Sequence, residues 1–458
     1  MAHANAFSSL RQIRTQLDQA PELPFAHWLP AEQIEAALAE AGGAFRNRVF
    51  TPVVTVWLFL SQVLSPDQSC KNTVARLISW LAGLGRRSCS PDPSSYCQAR
   101  QRLPVSAIRS LTRQTSQMKS EPGWLWKGRQ VKMVDGSSVT MSDTAANQKA
   151  FPQSRQQAVG LGFPIARLVV VFSLAWATVL DFCVAAMRGQ HTGETSLFRQ
   201  LWHVFEAGDI ALADSAFESY RDIAGLKQRQ VDVVMRKNGS RQCDFRRGHW
   251  LGIGDHIVVW SKPRFNAQRF SREEYDQLPE QISVREVRYR VETPGFRTDT
   301  VVVVTTLCDA ATYPADEIAD LYAQRWHCEL DLNALKTTMQ MNHLHCQSPE
   351  MVEKAVAMHL LAYNLLRKIM AEAARKAQVL PRTLSFKGAM QLVNAFAPQL
   401  AQANADIAHL CQALLDAIAQ HRVGGRPGRV EPRKRKRRHA RYSCLTRPRA
   451  LERQRLAA

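Results

Sequence analysis

Nowhere in this chain do two cysteines stand in a C-x-x-C pair, although it holds ten of them in 458 residues. That lack excludes a disulfide-dense secreted scaffold, and scattered thiols fit a reducing cytosol better than secretion. The nearest approach to a metal cluster, His343-Leu344-His345-Cys346, has no second ligand pair at zinc spacing, so zinc is not expected there. Long hydrophobic runs are missing as well. Residues 1–20 show no apolar core of a secretory leader. The longest apolar run, 168–180, is only about 13 residues and ends at Asp181, too short to span a bilayer. A pair of buried strands accounts for it better. No long polar low-complexity tract interrupts the chain, and 45% hydrophobic with 22% charged residues is the composition of a folded globular protein. Acid is the scarce charge. Forty Asp and Glu stand against 60 Lys and Arg, a net of +20 with a pI near 9.9. Such an excess favours a polyanionic partner through phosphate contacts and counterion release. It is unevenly spread: residues 421–458 carry 14 Lys/Arg against 2 Asp/Glu, so +12 of the charge lies in the tail and about +8 in the rest. A solvated tail and a DNA-binding tail share that composition.

The pattern along the chain divides it. Residues 1–127 read as a small helical domain, with helical spacing at 31–41, 53–63 and 72–84, a break at Pro91 and Pro93, and a further helix after it. From Gln130 the period changes. Strands are expected at 131–141, 165–172, 175–184, 210–213 and 231–235, with helices at 195–207 and 218–228. The order β-β-β-α-β-α-β implies an α/β, mixed sheet with helices on its faces over 128–236. Residues 237–306, punctuated by Gly239, Gly248, Gly252 and Gly254, read as an inserted all-β subdomain. A long helix follows Tyr313-Pro314, is expected to run to about Met341, and closes the core over 307–350. Helices at 351–376, 386–396 and 406–420 make a C-terminal helical region, 351–421, before the basic tail, 422–458.

The long helix carries the densest chemistry, Tyr322-x2-Arg325-x3-Glu329-x6-Lys336. On a regular helix these four fall within an arc of roughly 60°, beside a buried stripe of Leu321, Leu332, Leu335 and Met339. An ordinary charge-laced helix offers the same i,i+4 pattern. Two aspartates accompany the motif. Asp135, in Val134-Asp135-Gly136-Ser137, sits inside the first strand, where an Asp-Gly pair weakens pairing and something should compensate. Asp214 ends the fourth strand, where an α/β sheet presents its carboxyl edge, although a turn or a helix N-cap would also place an Asp there. Asp143 and Asp181 read as loop or hairpin residues, and Asp331 faces about 180° away from Tyr322.

This D…D…E set with its Y-R-E-K spacing resembles the DDE transposases of the insertion-sequence "IS-four" family. The resemblance covers most of the chain, including the strand order and the long β insertion between the second Asp and the Glu. Phe163-Pro164 before the Val-rich hairpin also resembles the family, as does Arg426-Pro-Gly-Arg429-x-Glu431-Pro-Arg433 followed by Lys436-Arg437-Arg438. It implies an RNase H-like catalytic core and an enzyme that cuts and joins DNA with two Mg2+ ions, Mn2+ being a possible substitute. Attack of water or a 3′-hydroxyl on a phosphodiester needs an activated oxygen nucleophile and a stabilised leaving oxygen. Hard carboxylate ligands hold cations that do both. By the resemblance Asp135 bridges the ions, Asp214 and Glu329 each complete one site, and Tyr322, Arg325 and Lys336 grip phosphates.

The implied partners are the terminal inverted repeats of the element and target double-stranded DNA, met in the bacterial cytosol, with a dimer joining two ends. The N-terminal helices are expected to contribute end recognition. The basic tail residues Arg426, Arg429, Arg433, Lys436, Arg437 and Arg438 are expected to add phosphate contacts. An excision route through a DNA hairpin would call for a base-clamping aromatic. Trp250, Trp260 and Phe296 are candidates that ordinary β-core packing would equally explain. Two alternatives stay open: an RNase H-fold nuclease or resolvase without strand transfer, and a DNA-binding regulator descended from a transposase.

Overall fold

The computed structural model describes residues 26–42, 49–83, 85, 88–118, 121–239, 241–267, 271–291, 299–400, 406–424 and 444–457. The chain forms two compact units. One comprises 1–124, 175–181 and 331–423; the other comprises 125–174, 182–330 and 424–458.

The first unit is helical, and it joins the N-terminal helices to the C-terminal ones that the sequence pattern treats separately. The helix Pro52–Leu64 starts at Thr51, whose side chain accepts the Val54 N–H at 3.3 Å, with Pro52 at the first helical position. Val53 through Leu60 are buried without a break, so this is a core helix rather than an amphipathic one. Across it and the helix Val105–Ser116 packs Pro349–Lys376, 28 residues long, capped by Ser348 and buried along most of its length. Two buried acids anchor the unit. Asp181 is held by Arg109 at 2.9 Å and Arg113 at 2.6 Å, and it lies in the strand Val179–Ala186, within the apolar hairpin where the sequence pattern puts it. Asp331 is held by Arg367 at 2.8 Å and Arg382 at 3.0 Å. Asn364 replaces a missing strand neighbour at Val179: its Oδ1 accepts the Val179 N–H at 2.7 Å, and its Nδ2 donates to the Val179 carbonyl at 2.8 Å and to the Thr112 carbonyl at 2.9 Å.

The second unit is built on one sheet. Its strands are β1 (Val131–Met141), β2 (Ile165–Ser173), β3 (Val179–Ala186), β4 (Ile210–Ala213), β5 (Asp232–Arg236), β6 (His249–Gly252), β7 (Asp255–Ser261), β8 (Gln281–Val291) and β9 (Asp299–Thr305). They lie in the order β3-β2-β1-β4-β5-β9-β8-β7-β6. β1 and β2 are antiparallel, β1–β4 and β4–β5 are parallel, and the remaining pairs out to β6 are antiparallel. The helix Glu194–Gln200 and a 3-10 turn, Trp202–Val204, connect β3 to β4; Tyr220–Gln228 connects β4 to β5. This β-β-β-α-β-α-β core is RNase H-like. Its central strand β4 is short and wholly buried, as expected of a parallel strand covered on both faces.

The helix expected at 195–207 ends at Gln200, because the chain tightens into the 3-10 turn that lays Trp202 against Gly225. A Cβ at Gly225 would stand 2.4 Å from that indole. A two-pronged ion pair between the half-buried Arg199 and the buried Asp222, at 2.6 and 3.0 Å, locks the two connecting helices together.

The insertion does not stand apart as a separate sheet. β9 pairs directly with β5, so its strands prolong the core sheet, and a short helix, Arg272–Asp276, interrupts the expected all-β run. Ser271 and Glu274 form a capping box there, a local signal that a count of strand residues overlooks. Arg285 of β8 is fully buried and binds Asp255 of β7 at 2.7 and 2.6 Å, donating also to the Tyr313 carbonyl at 2.6 Å. That places the insertion against the chain entering the helix Ala315–Ala323.

Candidate active site

Asp135 and Asp214 are brought together by strand pairing. The last paired residues of β1 and β4 are Val134 and Ala213, so each aspartate follows its strand's last partner in parallel register. Neighbouring strands run about 4.8 Å apart, which sets the two side chains beside each other at the sheet's carboxyl edge. Asp135 Oδ1 accepts the Gly136 N–H at 2.7 Å. Asp214 Oδ1 accepts the Ala216 N–H at 2.8 Å in a turn, while Ser219 caps the next helix. Asp214 is therefore not the N-cap that its position in sequence would also allow.

Gly136 explains the weak Asp-Gly pair inside β1. A Cβ there would come within 2.8 Å of the Glu194 carboxyl group, which lies over the strand. Glu194 opens the helix Glu194–Gln200 and faces Arg167 of β2 at 3.6 Å, with Arg167 also donating to the Thr192 carbonyl at 2.5 Å. The sequence shows Glu194 only as a helix opener. Its approach to the residue after Asp135 is a contact through space that no spacing rule reveals.

The expected long helix is broken. It runs as Ala315–Ala323, then Trp326–Asn333, then a π-helical turn, Ala334–Thr338. The cause is a cluster of i→i−3 bonds: Gln324 to Leu321, Arg325 to Tyr322, His327 to Gln324 and Cys328 to Arg325, at 2.9–3.1 Å. These overwind the chain at Arg325, and the π turn then underwinds it, so an arc drawn on a regular helix does not hold across the segment. Tyr322 is buried in the first piece and Arg325 lies at the break. Glu329 stands in the second piece, with Arg325 Nη2 donating to its Oε1 at 2.6 Å. Lys336 falls in the π turn, within the other compact unit, half-buried, with burial pushing its ammonium below the usual lysine range.

Asp135 feels three charged neighbours, Asp214, Arg325 and Glu329. Burial first, and then the charges of Asp214 and Glu329, push its carboxyl up to about 6, while the Gly136 N–H and Arg325 pull the other way. Two residues outside the expected set also face this region. Tyr289 of β8 has its hydroxyl pushed up by burial and next by Tyr322, and Arg236 at the end of β5 acts on both tyrosines. A cleft of 1490 Å³ begins at Ala216, two residues beyond Asp214 in the chain, and is lined also by Tyr220, Asn238, Arg241 and Arg264.

The remaining expectations divide. Asp143 is an exposed partner of Gln148 at 2.8 Å. Of the aromatics, Trp260 is buried under Arg241, Trp250 is exposed, and Phe296 lies outside the described residues. Arg426, Arg429, Arg433, Lys436, Arg437 and Arg438 lie outside them too. No helix among the described residues is long and apolar enough to cross a membrane.

The chain is similar to known proteins. The family model "Transposase DDE domain" matches residues 126–365, which contain all three acids, and "Insertion element 4 transposase N-terminal" matches 20–113. The transposase InsG for insertion sequence element IS4 of Escherichia coli (strain K12) is 28% identical over 400 residues, 84% of each chain. A piggyBac transposase, solved as a synaptic complex with hairpin DNA, aligns over 89% of this chain and 86% of its own at 10% identity, with a TM-score of 0.44. With its core matched from before β1 to beyond the π turn and its N-terminal helices matched as well, the chain belongs to the DDE transposases of the insertion element 4 type.

Proposed function

We propose that this transposase binds the terminal inverted repeats of its own insertion sequence, cuts the DNA there, and joins the freed ends to target DNA. Asp135, Asp214 and Glu329 are the metal-holding catalytic acids. The observation that carries this reading is the crowding at Asp135, where two further carboxylates act on a partly buried acid with Arg325 as the nearby counter-charge. Hard divalent cations relieve such crowding, and oxygen ligands suit Mg2+, with Mn2+ as a substitute. Two such ions, when bound, supply an activated oxygen nucleophile and a stabilised leaving oxygen.

The chain's own groups do the rest. Arg325 holds Glu329 by their ion pair and, with Tyr322, contacts phosphates near the cut. Gly136 leaves room for Glu194 beside Asp135. The cleft that begins at Ala216, walled by Arg241 and Arg264, receives the DNA backbone. The N-terminal helices recognise the ends, and the basic tail adds phosphate contacts. Two copies act together in the cytosol, one for each end.

Glu329→Gln tests the assignment, because it keeps the size of the side chain and removes the charge a hard cation needs. End binding by gel shift should persist. Nicking and strand transfer of a labelled donor end in Mg2+ should both fall by roughly a thousandfold or more, as several kcal/mol of metal-borne stabilisation disappear. Near-wild-type nicking by the variant would remove Glu329 from the site. Nicking without any joined product in the wild type would make the protein a nuclease.

A further inference from the structure

Away from the three acids, in the insertion, Cys243, His256 and Glu286 turn one ligand atom each toward a common point, all within 4.8 Å of one another. Cys243 lies on the loop between β5 and β6, His256 on β7 and Glu286 on β8. His256 Nε2 stands 3.0 Å from Glu286 Oε2 and 3.9 Å from Cys243 Sγ, and the thiol donates to that same carboxylate oxygen. His256 and Glu286 are buried, and Cys243 is half-buried.

We infer that Cys243, His256 and Glu286 form a binding site for a borderline-soft divalent cation of the Zn2+ class, distinct from the site of the three catalytic acids. The first argument is the tautomer. His256 Nδ1 faces the Arg247 carbonyl at 2.7 Å, which places the proton on Nδ1 and leaves the Nε2 lone pair aimed at the other two groups. A cysteine nucleophile oriented by a histidine would show a different pattern, with the acid on the far nitrogen and the thiol on the near one. Here acid and thiol meet on the same nitrogen.

The second argument is distance. Zinc bonds of about 2.0–2.3 Å in tetrahedral array set ligand atoms roughly 3.4–3.6 Å apart. The two distances to Nε2 lie within a few tenths of an ångström of that range, and only the thiol and carboxylate must part. The third is charge. A thiolate and a carboxylate around a neutral imidazole cancel a dication, so the buried set carries no net charge. On binding, the Sγ–H bond breaks, its proton passes to solvent, and an Sγ–metal bond forms. Water fills the fourth position.

Such a site would be a staple. It fastens the 237–248 loop to β7 and β8, and that loop carries Arg241, which lines the cleft, together with the exposed Arg246 and Arg247.

The test uses the full-length protein carrying Asp135→Asn and Glu329→Gln, so that metal held by the catalytic acids is not counted. Purified with Zn2+ and dialysed, it should retain about one equivalent per chain by mass spectrometry. Co2+ in its place should give thiolate-to-cobalt charge-transfer absorption. Adding Cys243→Ser should abolish the absorption, and His256→Asn should lower retained zinc at least tenfold. Zinc should also slow proteolysis between Gly239 and Gly248. If the parent protein holds under a tenth of an equivalent and Co2+ gives no charge-transfer band, the site does not exist, whether or not the ligand variants fold. Full zinc retention by a folded Cys243→Ser variant would equally overturn it.

Discussion

His359 shows how a single side chain can couple this fold to pH. It lies sealed in the helix Pro349–Lys376, its Nδ1 bonded to the Ala355 carbonyl at 2.7 Å, and burial pushes its pKa down to about 4 from an ordinary 6.5. The imidazole is therefore neutral in the folded helical unit at pH 6.5, while the unfolded chain begins to take up a proton there. Stability from this residue is complete above pH 6.5 and is lost as pH falls from 6.5 toward 4. The loss approaches about 3 kcal/mol, because a tenfold change in proton affinity is worth about 1.4 kcal/mol. Denaturant melts at pH 7.5 and 5 should differ by less in His359→Leu than in the wild type. Equal differences in the two proteins would mean that His359 does not govern this slope. Other residue-scale features were also beyond a linear reading. Glu194 over Gly136, and Cys243 with His256 and Glu286 at separations of 13 and 43 residues, meet only after the strands have paired.

At the scale of elements, legibility followed the strength of the local pattern. β1 and β4 have the bounds read from their apolar periodicity, and the register of that pair places Asp135 beside Asp214. The break at Arg325 was not legible. It arises from backbone bonds one residue shorter than a helix makes, within a segment whose side chains suit a continuous helix. The extension of the core sheet was hidden for a similar reason, since strand propensity does not name a strand's partner.

The joint between β7 and β8 can be tested directly. Arg285→Ala would leave Asp255 buried without its guanidinium, at a cost of about 3–5 kcal/mol. Replacing both partners in the double variant Arg285→Leu with Asp255→Leu should recover most of that loss in chemical denaturation. A single variant within 1 kcal/mol of wild type, roughly the span of an exposed pair, would show that solvent reaches the site.

For the whole molecule, charge matters more than shape. Most of the net +20 sits in residues 421–458, leaving a mildly basic body for a polyanionic substrate. Lys and Arg in runs neutralise phosphates without reading bases. Deleting 426–438, which holds eight Lys/Arg and one Glu, should weaken binding to all DNA sequences alike. It should also flatten the plot of log affinity against log salt, by about 0.9 for each phosphate that the segment neutralises. A deletion that altered end preference and left the slope intact would make the tail a base reader.

The seam between β5 and β9 sets what descent could have done with this chain. Were residues 237–306 removed as a cassette, the buried Val233, Val234 and Met235 would border an open strand edge, the kind that recruits strange strands into aggregates. The root of the insertion is thus bound to the integrity of the core, whereas its outermost hairpin, β6 with β7, has no further strand beyond β6 among the described residues. A change in length confined to β6 would leave that seam closed, whereas any that removes β9 would open it.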